Sequence, residues 1–249
     1  MKDLKTGIQM YTLRDALKQD FKGVCRELVK LGCDGAEFVQ LFGGMEPLEL
    51  AAFLKEIGLQ ACGMHLSAGD FAPDADGRGL EYAKALGIRY VTFSHGGDFT
   101  QIAPEVLGLC RQAGKTAAQH GFQFTYHNHA AEFATFEGRP ALDYLYENTE
   151  PMQVMAELDV YWIAKGGEDP VKYIERYASR LPQLHLKDMD RADGSFTELG
   201  QGFIDLAACI DAAKKSICQW VIYEQDVCKR DPFESAAMSL EHLNKLLGR

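Results

Sequence analysis

Acid and imidazole side chains recur at the ends of the apolar runs in the second half of this chain. Glu132 follows Phe124-Thr125-Tyr126-His127-Asn128-His129, and Asp159 ends Glu157-Leu158-Asp159. His185 sits in Leu184-His185-Leu186-Lys187-Asp188, and Glu224 closes Val221-Ile222-Tyr223-Glu224. Carboxylates and an imidazole on neighbouring strands offer oxygen and nitrogen donors to one divalent metal. Such a mixed set in a partly open site suits Mn2+ first, with Mg2+, Co2+ and Zn2+ as alternatives. A metal chelating vicinal oxygens of a substrate acidifies the adjacent C–H and stabilises an enediolate, while flanking carboxylates or imidazoles move the proton. That chemistry belongs to a metal-dependent enzyme acting on a small hydroxylated molecule.

The elements that must deliver these residues alternate from end to end. Strand-like runs fall at Gly7–Tyr11, Gly35–Val39, Gln60–Met64, Tyr90–Phe93, Phe122–Tyr126, Val154–Leu158, Pro182–Leu186 and Trp220–Tyr223. Between and after them come stretches with helical periodicity: Phe21–Leu31, Leu48–Ile57, Gly79–Leu86, Pro104–His120, Leu142–Asn148, Pro170–Ala178, Leu206–Lys215 and Phe233–Leu247. Leu31-Gly32, Ile57-Gly58, Leu86-Gly87 and His120-Gly121 read as helix stops, because glycine accepts the left-handed conformation of a C-cap. Strict alternation implies parallel strands joined by crossovers. A single (β/α)8 barrel over residues 1–249 is the simplest closure, with an open doubly wound sheet as the alternative, and 249 residues is the usual size of such a barrel. The first strand lacks a following G-x-G-x-x-G, which argues against a dinucleotide.

Bulk properties narrow the function further. A formal net charge of −10 argues against a nucleic-acid partner and gives no encouragement for an anionic membrane surface. The seven cysteines are scattered without a C-x-x-C pair and read as reduced, mostly buried residues. No signal-peptide pattern opens the sequence and no apolar run approaches a membrane span, so a cytoplasmic location is expected.

In a (β/α)8 barrel the chemistry sits at the C-terminal strand ends, where five of the seven histidines fall: His65, His95, His127, His129 and His185. Residues two apart on a strand share a side, which pairs His127 with His129, Glu157 with Asp159, His185 with Lys187, and Glu224 with Asp226. Each has a bland reading. Glu157 lies deeper than Asp159 and suits a buried salt bridge; Asp226 and Glu198 read as solvated loop charges. Lys187 either pairs with Asp188 or holds a substrate hydroxyl or carbonyl. Trp162 is either core or a wall on which a sugar stacks. His65 and His95 are placed with Trp162 and Lys187 as substrate-binding residues.

Taken together, these motifs resemble the sugar phosphate isomerase/epimerase family, the xylose isomerase-like TIM barrels that also include inosose dehydratases and ketose 3-epimerases. The resemblance runs over essentially the whole chain. It is carried by Gly7-Ile8-Gln9-Met10-Tyr11-Thr12-Leu13-Arg14, Tyr126-His127-Asn128-His129-Ala130-Ala131-Glu132-Phe133, Leu158-Asp159-Val160-Tyr161-Trp162, His185-Leu186-Lys187-Asp188 and Tyr223-Glu224. It implies one divalent metal held by four side chains, of which Asp159, His185 and Glu224 match the last three positions. The first position departs from the ketose 3-epimerase pattern, with His127 where a glutamate is expected. Either Glu132 reaches back to complete the set, which is the expectation here, or His127 or His129 replaces it. The departure shifts weight towards a histidine-rich subgroup that includes dehydration and elimination on keto-inositols and 3-keto-sugars, with His127 or His129 as the base and Glu224 as a further acid/base.

The expected activity is therefore a sugar or cyclitol isomerase/epimerase, with a lyase on a keto-sugar or keto-inositol as the alternative. A DNA-repair nuclease on the same barrel would need a basic groove, and a non-catalytic sugar-binding barrel would lack the acid and imidazole set. Related barrels form homo-oligomers, so self-association is an expectation by resemblance.

Overall fold

The computed structural model describes residues 3–249. Eight parallel strands close into a barrel: β1 (Lys5–Gln9), β2 (Gly35–Phe38), β3 (Gln60–His65), β4 (Tyr90–Phe93), β5 (Gln123–His127), β6 (Met155–Asp159), β7 (Gln183–Leu186) and β8 (Trp220–Tyr223). Neighbours follow chain order, and β8 pairs with β1 to complete the ring. The open-sheet alternative is thereby excluded. Around it lie α1 (Arg14–Lys30), α2 (Pro47–Ile57), α3 (Arg78–Ala85), α4 (Phe99–Gln119), α5 (Ala141–Glu147), α6 (Val160–Lys165), α7 (Pro170–Arg176), α8 (Leu206–Lys214) and α9 (Pro232–Leu247). Among the described residues, no helix is long and apolar enough to cross a membrane.

The differences from the sequence reading are local. The run from Gly7 to Tyr11 leaves the sheet after Gln9, whose side chain accepts from the Tyr11 N–H and starts a 3-10 turn over Met10–Leu13. Helix α1 starts at Arg14 but kinks at Asp20 (φ −146°, ψ 79°), and the Asp20 carboxylate accepts from the Gly23 N–H. The amphipathic part thus begins at Phe21, where the periodicity placed it. Helix α4 starts five residues before Pro104 because the Asp98 carboxylate caps it through the Thr100 N–H. Helix α6 is too short to carry a period, which hid it. Gly32, Gly58, Gly87 and Gly121 all adopt positive φ, closing helices as read.

The apolar core fills the layer between strands and helices, with Leu28, Leu50, Val106, Phe124, Leu158, Leu184 and Leu240 inaccessible or nearly so. The inside of the barrel is largely polar instead, apart from a small apolar group of Cys62, Trp220 and Ile222. Thr92, Thr125, Glu157, Gln183 and Glu37 are fully buried there. Six cysteines are buried; burial pushes the Cys25 and Cys33 thiols up to about 12.

Candidate active site

Period-2 alternation sorts the strand ends into two polar layers. Register pairs Glu157 with Gln183 and Asp159 with His185 on β6 and β7, and His127 of β5 with Glu157. The Glu224 N–H donates to the Leu186 carbonyl, so the β8 ladder runs on to carry Glu224 inward. On the far side, Gln9 pairs with Glu37. A register shift between Ala36 and Glu37 against β3 re-aims Glu37 into the barrel. Gly63 makes this reach feasible, since a Cβ there would collide with Glu37 Oε1 and Gln183 Nε2.

The upper layer gathers His127, Asp159, His185 and Glu224, each with one donor atom within 4.8 Å of the others. His185 Nδ1 lies 3.0 Å from Glu224 Oε2, and His127 Nε2 lies 3.9 Å from Asp159 Oδ2. Asp159 Oδ1 accepts from the Trp162 N–H and caps α6, whereas Asp159 Oδ2 is buried and accepts no hydrogen bond among the described residues. Asn128 clasps the two strand ends, its Oδ1 accepting from the Asp159 N–H at 3.0 Å. Lys187 is 1% exposed, and its ammonium lies 2.9 Å from Glu224 Oε2, 2.9 Å from Asp226 Oδ2 and 3.2 Å from Asp159 Oδ2.

The lower layer holds Glu37, Glu157 and His65. His65 Nε2 lies 2.7 Å from Glu157 Oε1 and 3.3 Å from Glu37 Oε2. His185 Nε2 lies 2.7 Å from Glu37 Oε2, and His127 Nδ1 lies 3.2 Å from Glu157 Oε1.

Burial and neighbouring charge compete throughout. Burial opposes charge on His65, but Glu157 and Glu37 outweigh it and push its pKa up to about 10. The same carboxylates overcome burial to raise His185. Burial wins at His127, helped by the cations around it, and lowers its pKa far below the usual imidazole value. Burial followed by Lys187 brings His129 down to about 4, leaving it neutral at pH 7. Burial raises Asp159 to about 6 against the pull of Lys187 and His185.

The structure brings together His65, His127, Asp159, His185, Lys187 and Glu224 from the residues singled out in the sequence. His129 stands half-buried above them, its ring 5.2 Å from that of His127 and 5.4 Å from Trp162. Trp162 is half-buried, edges Phe196, and carries Lys187 Nζ 5.5 Å from its ring centre. His95 belongs to neither group of converging donor atoms, and its ring lies 6.4 Å from that of Phe99.

Glu132 is not brought to the cluster. Its carboxylate accepts from the Tyr126 hydroxyl at 2.8 Å and the His129 N–H at 3.0 Å. Tyr126 is the outward neighbour of inward His127, so Glu132 lies on the helix side of β5.

Three local expectations are corrected. Glu198 is buried, bonded to Ser235 and Arg230, and is not a solvated loop charge. Asp226 is mostly buried and holds Lys187. Asp188 does not pair with Lys187 but accepts from the backbone N–H groups of Met189, Gly200, Gly202 and Ile204, which ties down the loop after β7. Glu157 does make buried ionic contacts, but these are with the site's own histidines. Asn128 was missed as a contributor, although its place between His127 and His129 was a usable signal.

Burial raises the pKa of Glu132 to about 7, against hydrogen bonds that lower it. Its folded value exceeds the unfolded one, so its contribution to stability is present below about pH 4.5 and is lost as pH rises through 7. The loss is on the order of 3 kcal/mol. Glu132→Gln removes the ionisation, and the variant is expected to show a flatter melting temperature between pH 5 and 8 than the parent. An unchanged slope would mean that Glu132 does not titrate there.

The polar-lined closed barrel matches a known family. The sequence profile of the xylose isomerase-like TIM barrel covers residues 25–246. The chain belongs to that family. Among curated relatives, inosose dehydratase of Lacticaseibacillus casei is 30% identical over 151 residues, covering 53% of this chain and 50% of the relative. The match thus spans about half the length of that relative. A sugar phosphate isomerase/epimerase from Parabacteroides distasonis superposes with a TM-score of 0.82 at 22% identity, covering 98% of this chain and 94% of the other. The IOLI protein, solved with a zinc atom, superposes with a TM-score of 0.73 at 15% identity, covering 98% of both chains. At such identities these two structures speak to the fold.

Proposed function

We propose that this xylose isomerase-like barrel is a metal-dependent isomerase/epimerase of a small sugar or cyclitol, working by proton abstraction next to a carbonyl. The observation that carries the reading is the upper layer. Two imidazoles and two carboxylates converge within 4.8 Å, and one buried carboxylate oxygen, Asp159 Oδ2, accepts no hydrogen bond among the described residues. The Lys187 ammonium lies 3.2 Å from that oxygen as an ion pair without hydrogen-bond geometry, and a metal ion among the four donors would bind it directly. His127, Asp159, His185 and Glu224 would hold the ion, and this N2O2 set suits Mn2+, Co2+ or Zn2+. The zinc in the IOLI structure is consistent with that choice. When bound, a divalent ion supplies positive charge that fixes substrate oxygens and acidifies the C–H beside a carbonyl.

The side chains supply the remainder. His129, neutral at pH 7 and half-buried at the mouth, takes the proton. The C–H electron pair forms the C=C bond and the carbonyl oxygen gains negative charge, which the Lys187 ammonium offsets. Trp162 and Phe196 pack edge to face beside the Lys187 ammonium, where they would shield it from water. Return of the proton to the neighbouring oxygen-bearing carbon, with the hydroxyl proton passing to the former carbonyl oxygen, completes isomerisation; delivery of a proton to the other face of the same carbon completes epimerisation.

A second reading is favoured by the inosose dehydratase relatives. The same first step is then followed by loss of a β-hydroxyl, protonated by Lys187 and released as water. Incubating the metal-loaded protein with keto-inositols and ketoses in D2O separates the outcomes. The isomerase reading expects a product of unchanged formula carrying one deuterium, and the dehydratase reading an unsaturated product lighter by one water. Neither product, from a protein shown to bind metal, would contradict both.

A further inference from the structure

The two layers share His127 and His185, and they use opposite edges of each ring. Glu157 Oε1 faces His127 Nδ1 at 3.2 Å, and Glu37 Oε2 faces His185 Nε2 at 2.7 Å. An ionised carboxylate only accepts, so each nitrogen facing one carries a proton. The opposite nitrogens, His127 Nε2 and His185 Nδ1, face Asp159 Oδ2 and Glu224 Oε2 in the upper layer, and an ion bound there would take their lone pairs in place of a proton.

Both carboxylates are fully buried and braced from behind. Glu157 Oε2 accepts from the Thr92 hydroxyl at 3.0 Å. Glu37 accepts from Gln9 Nε2 at 2.7 Å and Gln183 Nε2 at 3.1 Å. His65 Nε2 lies against both carboxylates, a shared donor that eases their mutual repulsion.

We infer that Glu157 and Glu37 are positioning residues that fix the tautomer and tilt of His127 and His185, so that both rings serve one divalent ion in the upper layer. The inference rests on the metal-centre reading given above. It also assigns the lower group. His65, His127, Glu157 and His185 form a second set with metal-like spacing, yet a second ion there would need both shared rings to bind through both nitrogens and lose both protons. The lower layer therefore holds protons, and the barrel takes one ion. A carboxylate behind a ligating histidine sets the ring's orientation and basicity, and its loss costs about 10–100-fold in metal affinity.

Co2+ binding to metal-stripped protein tests this, read by competition with a chromophoric chelator and by the visible Co2+ spectrum. The wild type is expected to take one Co2+ per chain. Glu157→Leu, which keeps bulk but removes the acceptor, is expected to bind one Co2+ about 100-fold more weakly with an altered spectrum. Glu157→Gln, which keeps one acceptor oxygen, is expected to recover part of this and bind about tenfold more weakly than wild type. A purely structural Glu157 would lower the melting temperature of the metal-free protein and leave Co2+ affinity within twofold, which overturns the inference. Two Co2+ per wild-type chain, with one lost in Glu157→Leu, would overturn it as well. If Glu157→Leu fails to fold, Glu157→Gln decides by the same criterion. Failure of the wild type to bind Co2+ at all would instead sink the metal-centre reading.

Discussion

Lys187→Met is expected to destabilise the metal-free protein by about 3–5 kcal/mol, the range for removing one partner of a buried ionic group. For a chain of this size that is a fall in melting temperature on the order of 10 °C. The ammonium is almost inaccessible and touches Glu224, Asp226 and Asp159 within 2.9–3.2 Å. Burial works against its charge, but these carboxylates outweigh burial and hold its pKa above the ordinary lysine value. Methionine fills the stem and leaves three carboxylates facing one another. They raise each other's pKa, so the variant should be most stable at low pH and lose stability as pH rises. Added Co2+ should restore more stability to the variant than it adds to the parent, because the ion takes over the missing positive charge. A metal-free variant as stable as the parent at pH 8 would show that the ammonium does not neutralise this cluster.

His129→Gln is expected to lower kcat by about 10²–10⁴-fold, the usual worth of a positioned acid or base, with metal content unchanged. His129 is absent from both groups of donor atoms that converge in the barrel. Its ring stands between His127 and Trp162, and Glu132 holds its backbone N–H. Burial and Lys187 keep it neutral, ready to accept a proton from pH 5 upward. His127, the other base considered from sequence, has both nitrogens facing carboxylates in the interior. Loss of metal in His129→Gln, or activity within tenfold of the parent, would take the base role away from it.

How much of this could be read from the chain depends on the residue. Asp159, His185 and Glu224 were legible because strand alternation and β/α order place them at adjacent strand ends, and the observed register pairs two of them directly. His127 was legible as a site residue but open as ligand or base, because sequence does not say which way each ring nitrogen faces. Glu132 followed from its nearness in sequence to His129, yet Tyr126 points outward and takes the carboxylate with it. Glu37 could be placed on its strand but not aimed, since its inward turn depends on a bulge against β3 and on the missing side chain of Gly63. Glu157 looked like a deep salt bridge. Only the closed barrel shows that its partners are histidines from three other strands.

The central claim is a single metal centre in which His127 fills the position first expected for Glu132. Elemental analysis of the wild type, His127→Ala, Glu132→Ala and Glu224→Ala, each purified without added metal and then reconstituted with Mn2+, Co2+ or Zn2+, tests it most directly. The account predicts about one ion per chain in the wild type and in Glu132→Ala, and strong loss in His127→Ala and Glu224→Ala. Metal retained in His127→Ala and lost in Glu132→Ala would contradict the assignment, and no metal in the reconstituted wild type would contradict the centre itself.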